Sequence, residues 1–297
     1  MEQARIGKIF HKLINSFIYL CYKKPLVVTA WVNIRYGHLV PRNWGDDINV
    51  FLLELMTGRR VVIRNQSIYH NRCYKGPVYS CIGSIIGWYN TPNTIVWGSG
   101  ILRKDTALKN KPKQICSVRG EKTREYLSNF GIDCPHEYGD PALLISKYYH
   151  AEPLKKRYKL GIIPHYTDLE NPIINKFLTI HKDDVILIDL AHYKNWTDIP
   201  DKIVSCDCII SSSLHGLIVS DSYSIPNIWV SFSELLIGGD FKFLDYFSSV
   251  KRTDVKMYIS SLEGLENIYT HPNPNKNVII DYTRIASSAP FHLKDFL

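Results

Sequence analysis

A chain of 297 residues with 45% hydrophobic and 12% aromatic residues is too apolar to stay disordered and too long for one typical domain, so two domains are expected. The formal charge of +8 points to anionic partners, but there is no dense Lys/Arg block and no zinc-finger spacing. That sets nucleic acid aside and leaves phosphate-bearing small molecules and acidic membrane surfaces. The seven cysteines (21, 73, 81, 116, 134, 206 and 208) form no CxxC and no metal-ligand spacing, which reads as buried free thiols in a reducing cytosol.

In the first two dozen residues, Ile6, Ile9, Phe10, Leu13, Phe17 and Leu20 recur at helical spacing, with Lys8, Lys12, Lys23 and Lys24 on other faces. The run is interrupted too often to span a bilayer, which takes about 20 mostly apolar residues. It also lacks the small-residue cleavage site of a signal peptide. Such a helix either docks on the protein's own core or rests, as a basic amphipathic helix, on the cytoplasmic membrane surface. Strand 26–32 comes next, then a loop and a helix that starts at Asp46 and Asp47 and stops at Gly58. Apolar runs at 61–63, 79–86 and 94–101 suit a buried, mainly parallel sheet. Strand and loop 114–120 lead to a helix over 121–131, with Gly131 as its stop.

A polar, charged stretch around 146–159 marks the expected boundary between domains 1–150 and 151–297. The pattern then restarts with strand 160–163, a helix near 170–180, strands 184–190 and 208–211, a helix from His215, and strand 227–230. A tail follows Ser260. Alternation of this kind in both halves predicts two Rossmann-like α/β domains facing a central cleft.

Ligands of open α/β sheets sit beyond the carboxyl ends of strands, so residues that follow strands are the candidates. In the first half these are Asn43, Trp44, Gly45, Asp46, the WGSG turn (97–100), Arg119 and the YGD turn with Asp140. In the second half they are His165, Tyr166, Asp168 and the SSSLHG turn, which holds Ser212, Ser213, Leu214, His215 and Gly216. Lys242 and Asp245 add a cation and a carboxylate. His215 stands where a strand turns into a helix, beside the unpaired N–H groups of a first turn, a place suited to holding an anion. A Walker A lysine, a GxSxG elbow and an HExxH motif are all missing, which excludes the ATPase, serine hydrolase and zinc protease readings. Histidines, carboxylates and cations converging on one cleft suit a phosphate-bearing donor and acid–base chemistry near neutral pH.

Six stretches occur in a familiar order: NWGDDIN, IGSII with VWGSGI, SVRGEKTREYLSNFGI with YGDPALLI, GIIPHYTD, SSSLHGLIVSDSYSIPNIWVSFS and GGDFKFLDYF. In order and spacing the chain, over roughly residues 26–250, resembles the polysaccharide pyruvyl transferase family. The resemblance implies a GT-B-like architecture and transfer of the enolpyruvyl carbons of phosphoenolpyruvate onto a sugar, commonly as a cyclic ketal. It further implies a saccharide acceptor, often on a polyprenyl diphosphate carrier, and a cytoplasmic protein working at the inner face of the membrane in bacterial surface-polysaccharide assembly. His215 is the catalytic residue it favours. Where many members have arginine, this chain has Ser213, so Arg119, Lys242 or the N–H groups of the helix start are the groups left to grip the donor.

The expected mechanism uses protonated His215 as acid or phosphate stabiliser and His165 or Asp46 as base, with neither metal nor cofactor. A GT-B-type glycosyltransferase using a nucleotide sugar is the alternative, since the same cleft serves both.

Overall fold

Leu26–Val28 (β1), Val61–Ile63 (β4) and Val78–Ser80 (β5) are buried at every position, the pattern of strands covered on both faces. The computed structural model describes residues 2–87, 90–233, 239–274 and 277–296; for residues 2–6, Ile6 among them, it describes the backbone alone. Together with Thr94–Trp97 (β6) and Gln114–Ser117 (β7), these strands form a parallel sheet in the order β4-β1-β5-β6-β7. Asn33–Arg35 (β2) and His38–Val40 (β3) make a separate antiparallel hairpin. A second parallel sheet contains Tyr158–Ile163 (β8), Val185–Leu187 (β9), Cys206–Ser211 (β10), Asn227–Ser231 (β11) and Met257–Tyr258 (β12), in the order β12-β11-β10-β8-β9. The α/β class expected from the sequence is therefore present, with parallel sheets in both halves.

The two sheets share one strand order. In each, the strand that comes first in the chain lies between the second and the third, so the path switches direction beside β1 in one sheet and beside β8 in the other. Crevices for ligands open at the carboxyl ends of such switch points, here β1/β5 and β8/β10.

The helices are α1 (Glu2–Leu20), α2 (Trp44–Thr57), α3 (Ile68–Arg72), α4 (Glu121–Ser128), α5 (Ile145–Tyr148), α6 (Pro172–Ile180), α7 (Asp198–Val204), α8 (Leu214–Ser222), α9 (Phe241–Val250), α10 (Leu262–Thr270) and α11 (Tyr282–Ser287). Several expected elements are shorter than their apolar runs. The strands expected over 79–86 and 94–101 stop at Ser80 and Trp97, because the chain turns at Gly83 (φ 104°) and Gly98 (φ 77°). Helix α4 ends at Ser128, and Gly131 (φ 63°) closes the turn beyond it. All seven cysteines are free, but Cys21 and Cys73 are exposed, which corrects the expectation of uniformly buried thiols.

Helix α1 docks differently from what its apolar stripe suggests. The Asn15 carboxamide donates to the carbonyls of Ile34 (3.1 Å) and Gln66 (3.0 Å) and accepts from Gly37 N–H (2.9 Å), while Ser16 Oγ accepts from Ile68 N–H (2.9 Å). With Tyr19, these polar residues form the buried face, and Ile9, Phe10, Leu13, Phe17 and Leu20 are left exposed.

The halves are joined by groups that the sequence places far apart. Asp245 of α9 caps α4: its carboxylate accepts from Thr123 N–H (2.8 Å) and Thr123 Oγ1 (2.7 Å) and pairs with Arg119 Nε (2.9 Å). Gly120 permits this approach, since a Cβ there would overlap the Asp245 carbonyl. The C-terminal segment returns to the first sheet, where Trp97 Nε1 donates to Ile285 O (3.1 Å) and Phe291 packs edge-on against Tyr79 and Trp97. One apolar cluster runs from Leu26 of β1 through Trp44 and Ile163 to Leu217 and Phe243.

Candidate active site

Where the two switch points face each other, a cavity of about 530 Å³ opens. Trp31 beyond β1 and Gly83, Ser84 and Ile85 beyond β5 form one wall. His165 and Tyr166 beyond β8 and Ser213, Leu214 and His215 beyond β10 form the other, with Arg42, Asn43, Asp46 and Lys242 between them.

Asn43 starts α2. Its Oδ1 accepts from Gly45 N–H (3.2 Å), its Nδ2 donates to Asp46 Oδ2 (2.8 Å), and acidic residues in a first turn suit the positive end of the helix. The start is bolted to the second half. Trp44 N–H donates to Leu190 O (2.8 Å), Trp44 Nε1 to Trp196 O (2.7 Å), and Tyr193 Oη to Asp47 Oδ2 (2.9 Å). Asp47 also accepts from Arg42 N–H and Asn43 N–H and so holds the loop that enters the cavity.

Helix α8 is buried along most of its length, its apolar residues packed and its polar ones satisfied: Ser220 Oγ donates to Gly216 O, Ser222 Oγ donates to Leu143 O, and Asp221 accepts from Arg252. Among the described residues its N-cap, Ser213, makes no side-chain capping bond, so the first turn faces the cavity with N–H groups unclaimed by a hydroxyl. The His215 ring lies against the first turn of α2, and a Cβ on Gly45 would overlap it. Two helix starts, one from each half, thus meet through an imidazole. His215 Nε2 is sealed from solvent and has no hydrogen-bond partner among the described residues. His165 is held by its backbone N–H to Ser212 Oγ (2.8 Å) and by Nδ1 against Thr167 Oγ1 (2.8 Å), with Tyr166 packed on its ring.

Burial reshapes the titration of all four groups. Asp46 is pushed up to about 7, first by desolvation and then by Asp47, against the pull of Lys242. Lys242 is brought down to about 8 by desolvation and then by Arg119. His165 falls to about 4 and His215 to about 3, each through desolvation first and the field of Lys242 second. Both imidazoles are therefore neutral at neutral pH. Burial and the neighbouring cation thus disfavour the protonated His215 expected from the sequence, and Asp46 is the group drawn closest to neutrality.

Of the residues expected from sequence, the fold brings Asn43, Asp46, His165, Tyr166, Ser213, Leu214, His215 and Lys242 to the cavity wall. Gly45 and Ser212 support it from behind, the first against His215 and the second beneath His165. The others are not brought there. Arg119 is fully buried, with its guanidinium spent on Asp245, Ser84 Oγ (2.6 Å) and Ile101 O (2.8 Å), so among the described residues it meets the cavity wall through Ser84. Asp140 caps the turn Pro141–Leu144 through Ala142 N–H (3.0 Å), and burial raises it to about 6. Asp168 is buried and accepts from Ser233 Oγ (2.6 Å). Gly216 packs against Ser211 and Ile163, and the WGSG turn packs too: Trp97 is core and Gly100 lies on the Arg119 guanidinium.

Trp31, Arg42, Ser84 and His192 line the cavity without having been singled out in the sequence. Arg42 lies over the Trp31 ring at 5.4 Å, and the His192 ring meets Asp189 at 2.9 Å. The strand-end rule would have found Trp31 and Ser84 had β1 and β5 been read at their true lengths.

The model of the family described as polysaccharide pyruvyl transferase matches residues 71–234, a span that includes Ser84, His165 and His215 but neither Asp46 nor Lys242. Over 254 residues the chain is 32% identical to Uncharacterized protein L143 of Acanthamoeba polyphaga mimivirus, covering 82% of this chain and 84% of that one. Over 210 residues it is 27% identical to the succinoglycan biosynthesis protein ExoV of Rhizobium meliloti (strain 1021), covering 69% of this chain and 60% of that protein. No solved structure matches it significantly.

Proposed function

Because the chain belongs to the polysaccharide pyruvyl transferase family, and is thus a transferase with a saccharide acceptor, we propose that its cavity moves the pyruvyl unit of phosphoenolpyruvate onto two hydroxyls of a sugar. The sugar belongs to a surface polysaccharide or its lipid-linked precursor, and the product is a pyruvate ketal. In this reading the halves 1–150 and 151–297 act as two GT-B-like domains. The observation that carries the proposal is one cavity joining a carboxyl near 7, a cation near 8 and two neutral imidazoles between two helix starts.

Phosphoenolpyruvate carries about three negative charges at neutral pH and needs cations and aimed N–H groups. Lys242 and the first turn of α8 supply them, in place of the arginine that Ser213 replaces, and Arg42 adds a second cation. The protonated Asp46 carboxyl gives its hydrogen to the methylene carbon, leaving an oxocarbenium-like centre. The first sugar hydroxyl attacks that centre and passes its proton to neutral His165. The bond to phosphate breaks, and the leaving group takes this proton from His165. The second hydroxyl closes the ketal and returns a proton to Asp46. His215, its ring seated against Gly45, holds the first turns of α2 and α8 in place around the phosphate. A bound dianion raises the pKa of a nearby imidazole, so donor binding draws protons into the site.

The test is incubation with phosphoenolpyruvate and a panel of free and lipid-linked saccharides, following inorganic phosphate and product mass. Phosphate release with gain of a pyruvate unit supports the reading. Glycosyl transfer from a nucleotide sugar, with phosphoenolpyruvate inert, defeats it in favour of the glycosyltransferase.

A further inference from the structure

The exposed side of α1 is unlike the rest of the surface. Ile9, Phe10, Leu13, Phe17 and Leu20 fall on one stripe and are all exposed, Phe17 to 71%. They are left out because the helix spends Asn15, Ser16 and Tyr19 on its contact with the body. Tyr36 at the tip of the β2–β3 hairpin stands beside the helix: it is exposed and its ring meets that of His11 edge-on at 4.8 Å. A contiguous apolar stripe of this size marks a contact surface.

Charge identifies what the stripe meets. Residues 1–42 contain Arg5, Lys8, Lys12, Lys23, Lys24, Arg35 and Arg42 against the single acid Glu2, so this segment holds +6 of the chain's +8. Lys8, Lys23, Lys24 and Arg35 are exposed. A second copy of the chain would bring the same positive segment against itself. An anionic bilayer takes both features at once: the apolar side chains enter the boundary of the acyl region and the basic ones meet the headgroups. No helix among the described residues is long and apolar enough to cross a membrane, so the contact is one of lying on the surface.

We propose that α1, with Tyr36, is a docking surface for an anionic lipid bilayer. The hairpin ties this surface to the cavity. Asn15 of α1 bonds both Ile34 and Gly37, while Trp31 and Arg42, just before and after the hairpin, line the cavity. Docking therefore holds the cavity within reach of a substrate carried by the same membrane. Lipid binding itself requires neither donor nor acceptor, so its failure would leave the proposed reaction standing, and failure of the reaction would leave the docking surface standing.

The experiment is co-sedimentation of the full chain with vesicles of phosphatidylcholine alone and of phosphatidylcholine with phosphatidylglycerol. The chain should partition onto the anionic vesicles and release as salt rises. Phe17→Ser with Leu13→Ser should lower partitioning at least about tenfold, with melting temperature unchanged because both side chains are exposed. Lys23→Gln with Lys24→Gln should lower it by about fivefold per lysine, on anionic vesicles only. Equal partitioning onto both vesicle types, no partitioning, or an unchanged double-serine variant would overturn the proposal. So would self-association by sedimentation equilibrium that the double-serine variant abolishes, since the occupant would then be a second copy.

Discussion

Helices α2 and α4 of the first half both begin against the second half, and the two starts were finished differently. At α4, Asp245 accepts from Thr123 twice and from Arg119, the guanidinium is filled by Ser84 and Ile101, and the contact is closed. At α2, Asp46 has one amide partner in Asn43, His215 presses on Gly45 with Nε2 unpaired among the described residues, and a cavity remains. Buried polar groups that are fully satisfied make a seam, and groups left partly unsatisfied beside a cavity are free to meet a substrate. The same residue types thus give structure in one place and chemistry in the other.

The sharpest way to break the comparison is at its two carboxyls. Asp46→Asn should cost about 10²–10⁴-fold in turnover with the fold retained, as read by phosphate release and circular dichroism. Near wild-type turnover would remove Asp46 from the mechanism. Asp245→Ala should do the reverse, destabilising the chain by about 3–5 kcal/mol in denaturant titration because it strands a buried guanidinium. If Asp245→Ala unfolded no more easily than wild type, the seam would not be structural.

Gly45→Ala probes the contact between helix starts. The new methyl must displace the His215 ring, and a displacement of about 1 Å costs about 10²-fold in rate. Unchanged kinetics would show that the ring's placement is irrelevant. A pH profile then separates the protons. Since the active form carries a proton on Asp46, kcat/KM should fall about tenfold per pH unit above about 7, and more steeply past about 8 as Lys242 loses its charge. A rate that instead climbs with pH through 7 would make Asp46 a base. The smallest effect is expected at Tyr193→Phe, which removes the bond to Asp47 Oδ2 and should lower stability by about 1 kcal/mol. A change several times larger would make that single hydroxyl a main bolt between the halves.

Much of the scaffold was readable in the chain. The acidic pair Asp46 and Asp47 and the stop at Gly58 marked α2, although the helix begins earlier, at Trp44, because the Asn43 side chain caps it. Apolar runs bounded by turn residues marked the strands of both sheets, and the rule that ligands lie beyond strand ends led to His165, Ser213 and His215. Where that rule missed, the cause was length. Ile82, Ile85 and Ile86 are buried without being strand, so the run 79–86 looked continuous and hid Ser84 inside it. Helix α7 went unread because Pro200 lies within it, although a parallel step from β9 to β10 requires a crossover there.

Local sequence, then, determined most of the segments that became strands and helices and which polar residues stand near their ends, because caps, glycine turns and apolar periodicity act over a few residues. Tertiary structure alone decided that Arg119 and Asp245, 126 positions apart, cancel each other while Asp46, Lys242 and two imidazoles share a cavity. It also decided that α1 turns its polar face inward. A side chain's charge state and partners depend on what packs around it from distant parts of the chain, and neighbours in sequence do not specify that packing.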